Sequence, residues 1–190
     1  MSERIAGLRA LLRAFPDSLI LGVDVLAGTD AITHGGGAAI GVISSMRRPT
    51  RPADPGGGPR AKGWLPGLFL PQLWETRGPQ IYADWYANSP TPTCADCGGR
   101  DMTTFTEHPT DKQQILDHNV HAWLRVHTEI RRRTRAAARE WLAQERLRAL
   151  EAHAQLQPRN GPMDADPVLR ALCELDDPHG RRTTPTGGWR

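Results

Sequence analysis

Cysteine is scarce in this 190-residue chain: there are three, two of them as Cys94-x-x-Cys97 and one apart at Cys173. That spacing suits a metal or redox pair in a reducing compartment better than a disulfide framework. Long apolar runs are missing as well. The run Leu19–Val23 is far too short to span a bilayer, and Met1-Ser2-Glu3-Arg4 is not followed by the apolar stretch of a secretory leader. The expectation is a soluble, cytoplasmic chain without membrane contact. Charge of one sign is not in excess: 24 Lys and Arg face 21 Asp and Glu, a net of +3, so overall charge alone does not point to nucleic acid. Length is also short, because a complete eight-stranded α/β barrel takes roughly 200 to 250 residues.

Counted with glycine and without tyrosine, about 47% of the chain is apolar, ordinary for a globular domain. Glycine (19) and proline (16) interrupt that apolar content, so a small folded body with loose segments is expected. Ile5, Leu8, Leu11 and Leu12 recur at helical spacing, and Phe15-Pro16-Asp17 stops the helix. Leu19–Val23 reads as a buried parallel strand, residues 29–34 as a short helix ended by Gly35-Gly36-Gly37, and Ala38–Ser45 as a second strand. The pattern predicts an α/β fold with a parallel sheet over residues 1–51.

Residues 52–92 read as a loop-rich segment in which Trp64, Phe69, Trp74, Tyr82, Trp85 and Tyr86 cluster. A satellite hydrophobic cluster and a base-stacking platform both fit that composition. Residues 93–157 read as a knuckle followed by a long helical region. Thr110-x-x-Gln113 has the form of a capping box, and Leu116, Val120, Trp123, Leu124, His127 and Ile130 form an apolar stripe. One helix or two in series would satisfy it. Residues 158–190 read mostly as a disordered tail, with a short helix allowed over Val168–Leu175.

The sharpest local signal is Thr93-Cys94-Ala95-Asp96-Cys97-Gly98-Gly99 followed by Asp117-His118-Asn119-Val120-His121. Two cysteines two residues apart can aim both sulfurs into one tetrahedral site, the glycines permit the tight turn, and zinc is the natural occupant. A helix turns about 100° per residue, so His118 falls nearly opposite Leu116 and His121 about 60° from His118. That geometry predicts a knuckle packed on the helix side away from the apolar stripe. The candidate ligands are Cys94, Cys97, His118 and His121, with His108, Asp96 and the remote Cys173 open as alternatives for the fourth. Free cysteines with solvated histidines, or a redox pair, are the competing readings.

Eight arginines fall between Arg125 and Arg148, against Glu129, Glu140 and Glu145. Arg125, Arg131, Arg132, Arg133 and Arg135 are candidate phosphate contacts for tRNA or DNA, and a solvated helix face balanced by glutamates is the plain alternative.

The stretch from His118-Asn119-Val120-His121 to Ile130-Arg131 resembles the end of the zinc subdomain of tRNA-guanine transglycosylases. In that family a zinc-ligand histidine is followed by asparagine, leucines at helical spacing and an Ile-Arg pair. The family's Cys-x-Cys-x-x-Cys maps its last two cysteines onto Cys94 and Cys97, while its first falls on Pro92. The order of elements from Leu19 to Arg48, followed by Pro49-Thr50-Arg51, looks like the family's last barrel units. There the final strand supplies an aspartate that attacks the ribose C1′; Ala38–Val42 holds no carboxylate, and Asp24 sits one strand earlier.

The resemblance implies a partial TIM-barrel-like set of βα units, a zinc knuckle, a long carboxyl-terminal helical region, and a relation to queuosine-type base exchange in nucleic acid. With no nucleophile in the matching window, the chain is expected to be inactive alone and either completed by a protein partner supplying the remaining barrel or a decayed copy. A non-catalytic zinc-containing nucleic-acid-binding or interaction module is the alternative. An HNH-type nuclease, prompted by Asp117-His118-Asn119, ranks last.

Overall fold

The computed structural model describes residues 1–41, 65–161 and 163–180. Among them are six helices, α1 (Ser2–Ala14), α2 (Val25–Thr33), α3 (Pro79–Trp85), α4 (Pro109–Arg131), α5 (Arg135–Gln155) and α6 (Pro167–Asp176). The strands are β1 (Leu19–Val23), β2 (Gly37–Ile40), β3 (Leu68–Leu70), β4 (Glu75–Arg77), β5 (Thr93–Cys94) and β6 (Arg100–Asp101). They form three separate two-stranded sheets, so the architecture is mixed helix and small sheet, with no closed barrel among the described residues. No described helix is long and apolar enough to cross a membrane.

The β1–α2–β2 unit is parallel, with Leu19 opposite Gly37 and Leu21 opposite Ala39. The sequence predicts a helix from residue 29, but α2 starts at Val25, because the Asp24 carboxylate accepts from the Ala27 N–H (2.8 Å) and caps it. Gly28 lets α2 sit directly on β2, since a Cβ there would fall 2.5 Å from the Ile40 side chain. The strand and its parallel partner are as expected, but the expected burial is not: with only two strands, one face of the pair is left uncovered and Leu19 and Leu21 are 63% and 64% exposed. The second strand is expected to run to Ser45; residues 42–64, Trp64 among them, lie outside the described residues.

An ionic cluster pins α1, α2, α5 and α6. Arg9 grips Asp30 through Nε and Nη2 (2.9 and 2.7 Å) and reaches Asp176 (2.7 Å). Arg146 reaches the same two carboxylates (3.2 and 2.7 Å). Arg9 and Arg146 hold the Asp30 carboxyl below its usual range against the opposing effect of burial. Helix α6 buries Leu169, Ala171 and Leu172, and so part of the stretch read mostly as tail is packed. One core gathers Val25, Leu26, Phe69, Trp74, Val126, Leu142 and Leu169, drawing on all four sequence segments.

A second core gathers Leu68, Leu70, Leu73, Tyr82, Cys94, Met102, Phe105 and Ile115. Strand β3 lies between the two, sending Phe69 to the first and Leu68 and Leu70 to the second, as strand alternation requires. Phe69, Trp74 and Tyr82 are buried, and Trp85 and Tyr86 pack against the second core, so these aromatics build interior rather than a stacking platform.

The long helical region is two helices. His108 caps α4 by accepting from the Thr110 N–H (3.3 Å), in place of the expected Thr110 box, and Thr134 caps α5. The buried face of α4 also differs from the expected stripe. It consists of Ile115, His118, Asn119, Ala122, Val126 and Ile130, while Val120 and Leu124 are 43% and 53% exposed. The reason lies in β3, which β4 pairs along one edge only. Its other edge needs hydrogen-bond partners, which α4 supplies from His118 and Asn119 with small Ala122 allowing close approach.

Candidate metal centre

Two structural pieces meet at the site. The first is the knuckle: β5 and β6 pair antiparallel, with Cys94 opposite Arg100, around a 3₁₀ turn at Ala95–Cys97. Gly98 and Gly99 close it at φ +68° and +77°, the left-handed region expected of them, and the Gly99 N–H returns to the Cys94 carbonyl (2.9 Å). Arg100 then ties the knuckle to the first turn of α4 by donating to Asp111 (2.8 Å) while lying 4.1 Å over the Phe105 ring.

The second piece is α4, which presents His118 and His121 one turn apart with ring centroids 5.0 Å apart. The four ligand atoms of Cys94, Cys97, His118 and His121 all lie within 4.8 Å of one another. Cys94 Sγ is 3.3 Å from His121 Nε2, and Cys97 Sγ is 3.5 Å from His118 Nδ1 and 3.6 Å from His121 Nε2. In a tetrahedral zinc site with bonds of about 2.3 Å to sulfur and 2.0–2.1 Å to nitrogen, neighbouring S and N ligands stand about 3.6 Å apart. The spacing here is that of a four-donor cage, and His121 takes the fourth position. His108 caps α4, Asp96 pairs with Arg125 (3.2 Å), and Cys173 lies against the other core.

The surroundings of His118 also suit a ligand. Its Nε2–H donates to the Phe69 carbonyl (2.9 Å), which fixes the tautomer and leaves Nδ1 facing the sulfurs. Burial, opposed by that bond, holds its pKa below the usual histidine value and favours the neutral ring that metals bind. Burial, with Cys94 adding to it, pushes the Cys97 thiol up to about 12. A bound cation would reverse that shift, since a coordinating thiol is deprotonated.

Asn119 completes the joint. Its Oδ1 accepts from the Phe69 N–H (2.7 Å) and its Nδ2 donates to the Gly67 carbonyl (2.8 Å). The sequence singles out Asn119 through a family resemblance and through Asp117-His118-Asn119; the structure gives the asparagine a backbone-clamping role. That engagement leaves it unavailable for the nuclease chemistry that Asp117-His118-Asn119 suggested.

The candidate arginines divide into two groups. Arg125 pairs with Asp96, and Arg132 and Arg133 both pair with Glu129 (2.6 Å each), Arg133 also lying over Trp141. Arg131 and Arg135, at the α4–α5 junction, are exposed and have no ion-pair partner among the described residues. No protein-family model, curated protein or solved structure matches this chain.

Proposed function

We propose that this chain is a non-catalytic zinc-clipped module that binds nucleic acid through the arginines of the α4–α5 junction. The observation that carries the reading is the convergence of Cys94, Cys97, His118 and His121 on one four-donor site. Four protein ligands leave no open coordination position for a substrate or an activated water, which is the mark of a structural rather than a catalytic zinc. Zinc there supplies folding energy: it joins the knuckle to α4, and through the His118 bond to Phe69 it holds β3 as well. Arg131 and Arg135 are the phosphate contacts, because their charge is not already neutralised within the chain, unlike that of Arg132 and Arg133. The free thiols suit a reducing compartment such as the cytoplasm.

The test is binding of short single-stranded RNA and DNA to the zinc-loaded chain across a salt series. Each phosphate contact contributes about −0.7 to the slope of log K against log salt. Arg131→Ala and Arg135→Ala should each flatten the slope by about that amount; an unchanged slope, or no binding, overturns the reading.

A second reading is favoured by one observation, the bare parallel pair β1–β2 with Leu19 and Leu21 exposed. Parallel sheets are normally covered on both faces. This is how the end of a transglycosylase-like barrel completed by another polypeptide would look. In that case the isolated chain exchanges no guanine into tRNA, and the partner emerges by co-purification with the tagged protein and is lost in Leu19→Glu/Leu21→Glu.

A further inference from the structure

Both sulfurs of the metal centre come from one short piece of chain. Cys94 ends β5 and Cys97 closes the 3₁₀ turn that follows it, whereas both imidazoles come from α4. The sulfurs lie within 4.8 Å of each other. They can therefore close to bonding distance by turning their own side chains, while α4 and the two cores stay in place. Their accessibility differs. Cys94 is buried and Cys97 is partly exposed, so a small oxidant reaches Cys97 first and finds Cys94 beside it. An accessible sulfur poised next to a second one is the arrangement that oxidises reversibly. Cys173 is no competitor, because it packs against the other core.

What the sulfurs hold decides what their oxidation does. The Ala95–Cys97 turn makes polar contact with α4 through the four-donor site and through the Asp96–Arg125 ion pair, whose side chains are 42% and 48% exposed. An ion pair so open to water contributes little. The neighbouring joints do not pass through sulfur. Arg100 ties β6 to Asp111 (2.8 Å), and Asn119 ties β3 to α4 by accepting from the Phe69 N–H and donating to the Gly67 carbonyl. Losing the two sulfurs frees the turn and leaves the rest of the fold fastened.

We infer that Cys94 and Cys97 are a reversible oxidation site: hydrogen peroxide joins them in a disulfide, which gives up the metal and undocks the Ala95–Cys97 turn from α4. This rests on the zinc clip proposed above and adds a control over it. As metal ligands both sulfurs are thiolates. Cys97 attacks one peroxide oxygen; an S–O bond forms, the O–O bond breaks and hydroxide leaves. Cys94 then attacks the sulfenic sulfur of Cys97; the S–S bond forms and a second hydroxide leaves. Two electrons have passed from the sulfur pair to the peroxide, and both hydroxides take protons from solvent to become water. A disulfide carries no thiolate, so His118 and His121 remain as two neutral donors where a structural zinc takes four. A thiol reductant reverses the step, as suits a transient disulfide in a reducing compartment.

The experiment titrates the zinc-loaded full chain with hydrogen peroxide in the absence of thiol reductant. Free zinc is followed with a colour-forming chelator, the cysteines by mass spectrometry and the backbone by amide NMR. About one zinc should be released for each disulfide formed, with the segment carrying Cys94 and Cys97 lighter by about 2 Da. Amide resonances of residues 93–101 should shift, while the Phe69 N–H keeps its protection against exchange. Dithiothreitol with zinc should restore the starting state, and Cys173→Ser should behave as wild type. Zinc retained through excess peroxide, a disulfide to Cys173 or between chains, or zinc lost only as Cys97 passes to sulfinic acid overturns the oxidation site and leaves the clip standing. A chain that holds no zinc before peroxide is added overturns the clip and the oxidation site together.

Discussion

Replacing Cys97 by serine separates what the metal contributes from what the polypeptide contributes on its own. The Cys97 sulfur lies 3.5 and 3.6 Å from the two imidazoles, so it is central to the cage, yet it sits only partly buried at the margin of the second core. A neutral serine hydroxyl in its place is a poor zinc ligand. Without metal the substitution removes little packing, and its cost should be under about 1 kcal/mol. With metal the difference is large: an ion that binds only the folded chain stabilises it by about 2.7 kcal/mol when free zinc is 100 times Kd and about 4.1 kcal/mol at 1,000 times. The assay is urea unfolding under reducing conditions, with zinc buffered at those two levels and again with chelator. Wild type should gain those increments, and Cys97→Ser should gain close to none while matching wild type in chelator. A wild-type midpoint indifferent to zinc, or a variant that keeps the full increment, would refute the four-donor assignment.

Other consequences follow from neighbouring contacts. Asn119→Ala removes both bonds to β3 and leaves the buried Phe69 N–H and Gly67 carbonyl unsatisfied; unfolding should become easier by about 2–4 kcal/mol with zinc content unchanged. Arg146→Ala leaves Asp30 with one arginine partner instead of two and should cost about 3–5 kcal/mol by denaturant unfolding, while Arg131→Ala, on the surface, should cost less than about 0.5 kcal/mol. In the zinc-free chain burial keeps the pKa values of His34, His118 and His153 below the ordinary histidine value. The unfolded chain therefore binds more protons near neutrality, and stability present above about pH 6.5 is lost as pH falls through the lowered folded-state values. Glu75, raised by burial, works in the opposite direction nearer its own range. Urea midpoints at pH 7.5 and 5.5 should differ in favour of the higher pH, and equal midpoints would count against the buried neutral imidazoles.

What the sequence revealed was local. The knuckle could be read because Cys94, Cys97, Gly98 and Gly99 are neighbours whose chemistry depends on short spacing, and β1 because an uninterrupted apolar run needs no distant partner to be recognised. His121 could be proposed but not chosen over Asp96 or His108. That choice depends on Asp96 reaching Arg125 and His108 turning to cap α4, both matters of three-dimensional placement. The core face of α4 was misread for a physical reason: Leu116, Val120 and Leu124 are the bulkier residues at helical spacing, yet the side facing β3 is decided by hydrogen bonds that His118 and Asn119 alone can make. The ionic cluster of Arg9, Asp30, Arg146 and Asp176 left no local trace, because its members are joined only when four helices pack.

X-ray absorption at the zinc edge of the purified, reduced protein looks directly at the cage. The expected spectrum has one zinc per chain with two sulfur neighbours at about 2.3 Å and two nitrogen neighbours at about 2.0–2.1 Å. A protein that takes up no zinc, or a zinc surrounded only by oxygen and nitrogen, would contradict the joint on which the knuckle, α4 and β3 are held together.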